Sequence, residues 1–116
     1  MLTKVRGKTL ILQNYTLSIG HCNALAAACP FFPKSINRVY FDNCGIDDEE
    51  FASILGGLAQ LKDFKSIIYK RNVFDENSLE ALEPLLHKRI PNHLEEFRLI
   101  DCTIPKSIFQ ELLVKI

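Results

Sequence analysis

Four cysteines, three histidines and a few serines are the side chains of this sequence whose chemistry extends beyond packing. Cys22, Cys29, Cys44 and Cys102 would pair as disulfides in an oxidising compartment, or hold a zinc ion at a suitable spacing. No C-x-x-C and no H-E-x-x-H is present, so the close pairs that metal or redox sites are built from are missing. His21, His87 and His93 stand at loop or helix-edge positions with no common face, and a solvated surface role is expected of them. Ser18 and Ser107 have no local acid–base partner, so no nucleophile–base arrangement emerges. Gly56-Gly57 is not framed by a phosphate-loop pattern, and close packing against a neighbouring helix is expected there. Asn14-Tyr15-Thr16 matches a glycosylation sequon, but free thiols and the lack of a secretory leader favour an unmodified cytosolic residue. The expectation is therefore no catalytic residue, no metal ligand and no cofactor: not an enzyme.

The elements that carry these residues belong to a chain of 116 residues, enough for one compact domain. Lys plus Arg equals Asp plus Glu at 14 each, which predicts no long-range field to gather nucleic acid or an anionic membrane. The longest apolar stretch, Ala24 to Phe32, already contains Pro30 and falls far short of the ~20 residues a bilayer span needs. Met1 to Lys8 has no apolar core of a secretory signal, and a cytoplasmic location is expected.

The apolar residues fall into four copies of one pattern. The second copy reads Ile36, Val39, Phe41, Cys44, Ile46, then Phe51, Ile54, Leu58. The third reads Phe64, Ile67, Tyr69, Asn72, Phe74, then Leu79, Leu82, Leu86. The fourth reads Leu94, Phe97, Leu99, Cys102, Ile104, then Phe109, Leu112, Ile116. The first is looser, with Gly7 in the opening slot before Leu10, Leu12, Tyr15 and Leu17, then Cys22, Leu25 and Cys29. Spacing of two in each first half predicts a short strand with one buried face, near residues 9–13, 38–42, 66–70 and 96–100. Spacing of three and four in each second half predicts an amphipathic helix. Ser18, Asp47 and Asp75 share a register just before three of these helices, where a side-chain oxygen can cap free N–H groups. Asp47 with Glu50 looks like a capping box, while Pro105 starts the fourth helix without a capping oxygen.

This L-x-x-L-x-L-x-x-(C/N)-x-L spacing, with a period of 28 to 30 residues, resembles the leucine-rich repeat family, in its ribonuclease-inhibitor-like subclass. The resemblance runs from about Gly7 to Ile116. It implies an α/β fold: a right-handed solenoid of four repeats, at about 7–35, 36–63, 64–93 and 94–116, with a parallel concave sheet and convex helices. Its implied function is a protein–protein interaction scaffold that binds on the concave face. The alternative is a structural spacer inside a longer solenoid, with no ligand of its own.

All four thiols fall in slots that other copies fill with buried residues. Cys22 and Cys29 stand where Phe51 and Leu58 stand one copy later, and Cys44 and Cys102 share the slot of Asn72. There a small polar side chain can bond to the turn backbone, a role for which Tyr15 is too large. Cys44 and Cys102 would lie two strands apart, about 10 Å, beyond the reach of a disulfide. Cys22 and Cys29 would be about 10 Å apart along a helix. Structural, reduced thiols are expected.

The intervening strand residues face outward in rows. The first row is Thr9, Arg38, Ser66 and Glu96, and the central one Ile11, Tyr40, Ile68 and Arg98. The next is Gln13, Asp42, Lys70 and Ile100, followed by Asn14, Asn43, Arg71 and Asp101. Three large apolar or aromatic residues in the central row, rimmed by charge, predict a protein-binding patch formed by Ile11, Arg38, Tyr40, Asp42, Ile68, Lys70, Arg98 and Ile100. The mixed charge predicts a protein partner, with neither nucleic acid nor membrane. At the far end, the fourth copy keeps its apolar pattern to Ile116 without a polar cap, whereas Met1 to Lys8 are polar enough to cover the first. Either further repeats or self-association through the fourth copy is expected from that difference.

Overall fold

The computed structural model describes residues 3–6, 9–31, 36–61, 64–86 and 94–115. Gly7, His87, His93 and Ile116, all named above, lie outside these described residues. Four parallel strands, β2 (Thr9–Gln13), β3 (Arg38–Asp42), β4 (Ser66–Lys70) and β5 (Glu96–Ile100), lie side by side in sequence order. Each is followed by a helix: α1 (Ile19–Ala28), α2 (Asp48–Leu58), α3 (Glu76–Leu86) and α4 (Lys106–Lys115). A fifth strand, β1 (Thr3–Arg6), joins the sheet antiparallel to β2. The first residues therefore cover that end as a paired strand, not merely as a polar segment. The sheet is not curled, so the face expected to be concave is an open one.

Alternation sets the strands. Val39 and Phe41, Ile67 and Tyr69 point inward and are buried, with Phe41, Ile67 and Tyr69 at 0% exposure. Each parallel strand is followed by a residue with positive φ, Asn14, Asn43, Arg71 and Asp101, all between 51° and 55°. Asn and Asp tolerate this left-handed conformation through local hydrogen bonding, whereas Arg71 has no such local compensation. Two helices start as the spacing predicts. Glu50 N–H donates to Asp47 Oδ1 at 2.8 Å and Asp47 N–H to Glu50 Oε1 at 3.0 Å. The first helix has the same device with an unexpected member, since Ser18 N–H donates to His21 Nδ1 at 3.3 Å. His21 thus has a capping role in place of the solvated one expected.

The third helix departs from expectation. Among the described residues, Asp75 Oδ1 accepts only from the adjacent Glu76 N–H. The N–H groups of Asp75, Asn77 and Ser78 donate instead to the carboxylate of Asp48, at 2.8 to 3.0 Å, and Ser78 Oγ–H donates to the Asp48 carbonyl. Asp48 reaches them because it opens α2, whose N-terminus lies beside that of α3. One helix thus caps the next. Burial alone would raise the Asp48 carboxyl, but these hydrogen bonds outweigh it and hold it below the ordinary range.

Successive units also share their aromatic core. The Phe51 ring of α2 stacks on Tyr69 of β4, with centroids 3.7 Å apart and planes 8° apart, and tilts against Phe74 at 6.1 Å. A Cβ on Gly57 would come within 2.5 Å of the Ala26 carbonyl oxygen, so α1 and α2 touch backbone to backbone there. Gly56 faces open space and does not share this role. In the last unit the pattern loosens. Phe109, expected in the core, is 45% exposed, and Ile108 with Leu112 forms the buried face of α4 instead. Phe109 holds the register of Phe51, yet among the described residues no later strand supplies the ring that covers it.

Candidate interaction surface

The strand registers align the outward residues in the rows that the repeat implies. Thr9, Arg38, Ser66 and Glu96 stand opposite one another, as do Ile11, Tyr40, Ile68 and Arg98, and Gln13, Asp42, Lys70 and Ile100. All eight candidate residues therefore share one sheet face. Ile11, Tyr40 and Ile68 form a stripe across three adjacent strands, each of them half-buried, with Ile100 half-buried on the next strand and row. A hydroxyl at the tip of Tyr40 makes this stripe apolar along its length and polar at one point.

Two networks of charge flank the stripe. On one side Arg71 forks onto Asp42, Nε at 2.7 Å from Oδ1 and Nη2 at 2.8 Å from Oδ2. The Tyr40 hydroxyl lies 3.5 Å from the same carboxylate. Asp42 was expected as a partner contact, but it is only 3% exposed, because Arg71 lies across it. Its role in this structure is to hold Arg71, and the Arg71 guanidinium keeps its carboxyl below the ordinary range. The fork also explains how a residue as bulky as Arg71 keeps its left-handed backbone: the side chain is fixed from the neighbouring strand.

On the other side, Glu96 accepts from the Ser66 hydroxyl and from Arg98 Nε at 3.0 Å, with Arg38 Nη2 at 3.7 Å. The hydrogen bond from Ser66 and the two guanidinium groups lower its carboxyl. Ser66, placed in an outward row, is 3% exposed beneath this cluster. The sequence shows the rows but not which members cover others, since that depends on side-chain reach across strands. The Lys70 ammonium makes no hydrogen bond or ion pair among the described residues, although its charge acts on the Asp42 carboxylate.

The thiols occupy their expected slots and all four are free. Asn72 Oδ1 accepts from the N–H groups of Cys44 and Ile46, and its Nδ2 donates to the Lys70 carbonyl. Cys44 and Cys102 do half of that work, donating to the carbonyls of Leu12 at 3.3 Å and Tyr69 at 3.1 Å on the preceding strand. Burial pushes the Cys22 thiol up to about 12, reinforced by Glu50, and burial pushes Cys29 up to about 11. Burial also raises Cys44 and Cys102. Among the described residues no group of His, Cys, Asp or Glu is arranged to hold a metal ion, and no helix is long and apolar enough to cross a membrane.

The opposite layer offers a shallow groove between α2 and α3, lined by Glu49, Ala52, Asn77, Glu80 and Ala81. It is wide open to solvent and contains no buried polar group. In comparisons with protein-family models, curated proteins and solved structures, nothing matches the chain.

Proposed function

We propose that the chain is a leucine-rich-repeat array, a short right-handed solenoid that serves in the cytoplasm as a protein–protein interaction scaffold. It holds its partner on the open sheet face and carries no catalytic step. The observation behind this reading is the Ile11–Tyr40–Ile68 stripe: three large apolar or aromatic side chains, adjacent in register, on the side of the sheet without helices. Such side chains cost free energy in water, and a rim of Arg38, Lys70 and Arg98 around them is the composition of an interface. The strands themselves suit the role, because outward residues can vary without disturbing the inward slots that hold the fold.

The experiment is a pair of substitutions read on a protein captured by the chain. Tyr40→Ala and Arg98→Ala should each weaken that complex by about tenfold or more, the loss typical of an interface anchor. The thermal midpoint should stay nearly unchanged, since neither side chain fills a core slot. Unchanged affinity in both variants would move the site away from this face.

Self-association through the β5–α4 end is a second proposal, carried by a separate observation. Phe109 and Leu113, one helical turn apart, are 45% and 53% exposed, beside a strand edge with no pairing partner among the described residues. Sedimentation should show concentration-dependent association that Phe109→Glu abolishes. A monomer at every concentration would remove this proposal.

A further inference from the structure

The formal charge of the chain is zero, yet the two layers of the fold divide it unequally. Helices α1, α2 and α3 contain no Lys or Arg. Asp47, Glu49, Asp75, Glu76 and Glu80 bring carboxylates to their solvent side, while Glu50 is buried in its cap, Asp48 caps α3 and Glu83 pairs with Lys115 of α4. The sheet face shows the reverse arrangement. Its cations reach outward, with the Arg38 side chain 48% exposed and Arg98 61%, and the Lys70 ammonium forms no ion pair among the described residues. Two of its three carboxylates are occupied and shielded: the Asp42 side chain is 5% exposed and Glu96 30%, each held by arginine. Among the described residues of these rows, only Asp101 offers an exposed carboxylate. What a partner meets on the sheet is therefore positive charge around an apolar stripe, although the residue types in the rows suggest a mixed surface.

On this basis, and on the reading of the sheet as the binding face, we propose that the face takes an acidic polypeptide segment bearing apolar or aromatic side chains. The apolar side chains lie on the Ile11–Tyr40–Ile68 stripe, and the carboxylates approach Lys70, Arg98 and Arg38. The acidic helices repel the same segment, so the field across the two layers selects the docking side before contact is made. A phosphate backbone fits less well. Asp42 and Glu96 remain fixed among the cations, with Asp101 exposed near Arg71, and two isoleucines with one tyrosine form a poor platform for stacked bases.

The test uses the full chain and defined probes: a random glutamate–tyrosine copolymer, poly-glutamate, a lysine–tyrosine copolymer and an oligothymidylate. The glutamate–tyrosine copolymer should bind best, and more weakly as salt shortens the range of the charges. The double charge reversal Lys70→Glu with Arg98→Glu should lower its affinity by about tenfold or more. The neutralised pair Lys70→Gln with Arg98→Gln should give a smaller loss in the same direction, with no new carboxylate to disturb folding. Affinity that falls with Tyr40→Ala but not with either charge pair overturns the acidic partner and leaves the binding face standing. Affinity indifferent to Tyr40→Ala as well overturns both. Equal binding of oligothymidylate, or Tyr40-dependent preference for the lysine copolymer, also overturns the proposal, as does failure of the glutamate–tyrosine copolymer to bind.

Discussion

The two faces of the sheet are made by alternate residues of the same strands, and two tyrosines show how differently they are used. Tyr69 points inward from β4, has no exposed surface, stacks on Phe51 and donates its hydroxyl to the Val73 carbonyl at 2.6 Å. Tyr40 points outward from β3, one row away, and remains half-exposed beside Asp42. Residue type does not separate them. The period of two does, since a shift of one residue moves a side chain from core to solvent. Inward residues are thus committed to holding neighbouring units together, while outward residues such as Tyr40 and Ile68 keep part of their surface in water.

The largest expected effect breaks the inner face. Tyr69→Ala should destabilise the fold by about 3–5 kcal/mol in urea unfolding, because it opens a cavity against Phe51 and removes the hydroxyl that donates to the part-buried Val73 carbonyl. Tyr40→Ala should change stability by no more than about 0.5 kcal/mol. Equal losses would mean that the outer face is as structural as the inner one.

A second contrast sharpens the same point between units. Asp48→Ala removes the acceptor for three N–H groups of the next helix and should cost about 1–3 kcal/mol. Glu76, in the same register one unit later, is exposed, and Glu76→Ala should fall within about 0.5 kcal/mol. Comparable effects would show that the α2–α3 clamp is not the device that orders the central helices.

Acid titration gives a smaller effect. Asp42, Asp48 and Glu96 all have lowered carboxyl pKa values in the fold. The unfolded chain therefore binds more protons below about pH 5, where ordinary carboxylates begin to titrate. Their contribution should be complete above that pH and fade as pH falls through the lowered folded values. Asp42→Asn with Asp48→Asn should flatten the acid limb of a stability profile, and an unaltered limb would contradict the assignment.

The smallest effect separates the thiols. Native labelling should be slow throughout, with Cys102, half-buried at the edge unit, reacting before buried Cys22, Cys29 and Cys44. Guanidinium should expose all four at once. Rapid native labelling of Cys44 would contradict its place against the Leu12 carbonyl.

Much of this was legible in the sequence because the signal is repeated. The four strand positions and the outward rows follow from apolar spacing alone, and repetition averages out local exceptions such as Tyr15. Interactions that link one unit to the next were not legible. Asp48, Arg71 and Ser66 bond across about 27 to 30 residues, to partners that no local rule connects to them. His21 was missed because its Nδ1 here takes the place of the Glu or Gln side chain usual in a capping box. Phe109 was misplaced because the repeat pattern specifies a slot, whereas burial of that slot depends on the following unit. Charge was the subtlest case: equal totals concealed the separation between helices and sheet, which depends on which side of the fold each charge faces.

The most direct test of the binding-face account is chemical-shift mapping of the native protein as the glutamate–tyrosine copolymer is added. The account expects the shifts to concentrate at Ile11, Tyr40 and Ile68 and at the turn residue Arg71, with α2 and α3 nearly silent. Shifts confined to the groove beside Glu49 and Glu80, with the sheet face unmoved, would contradict it.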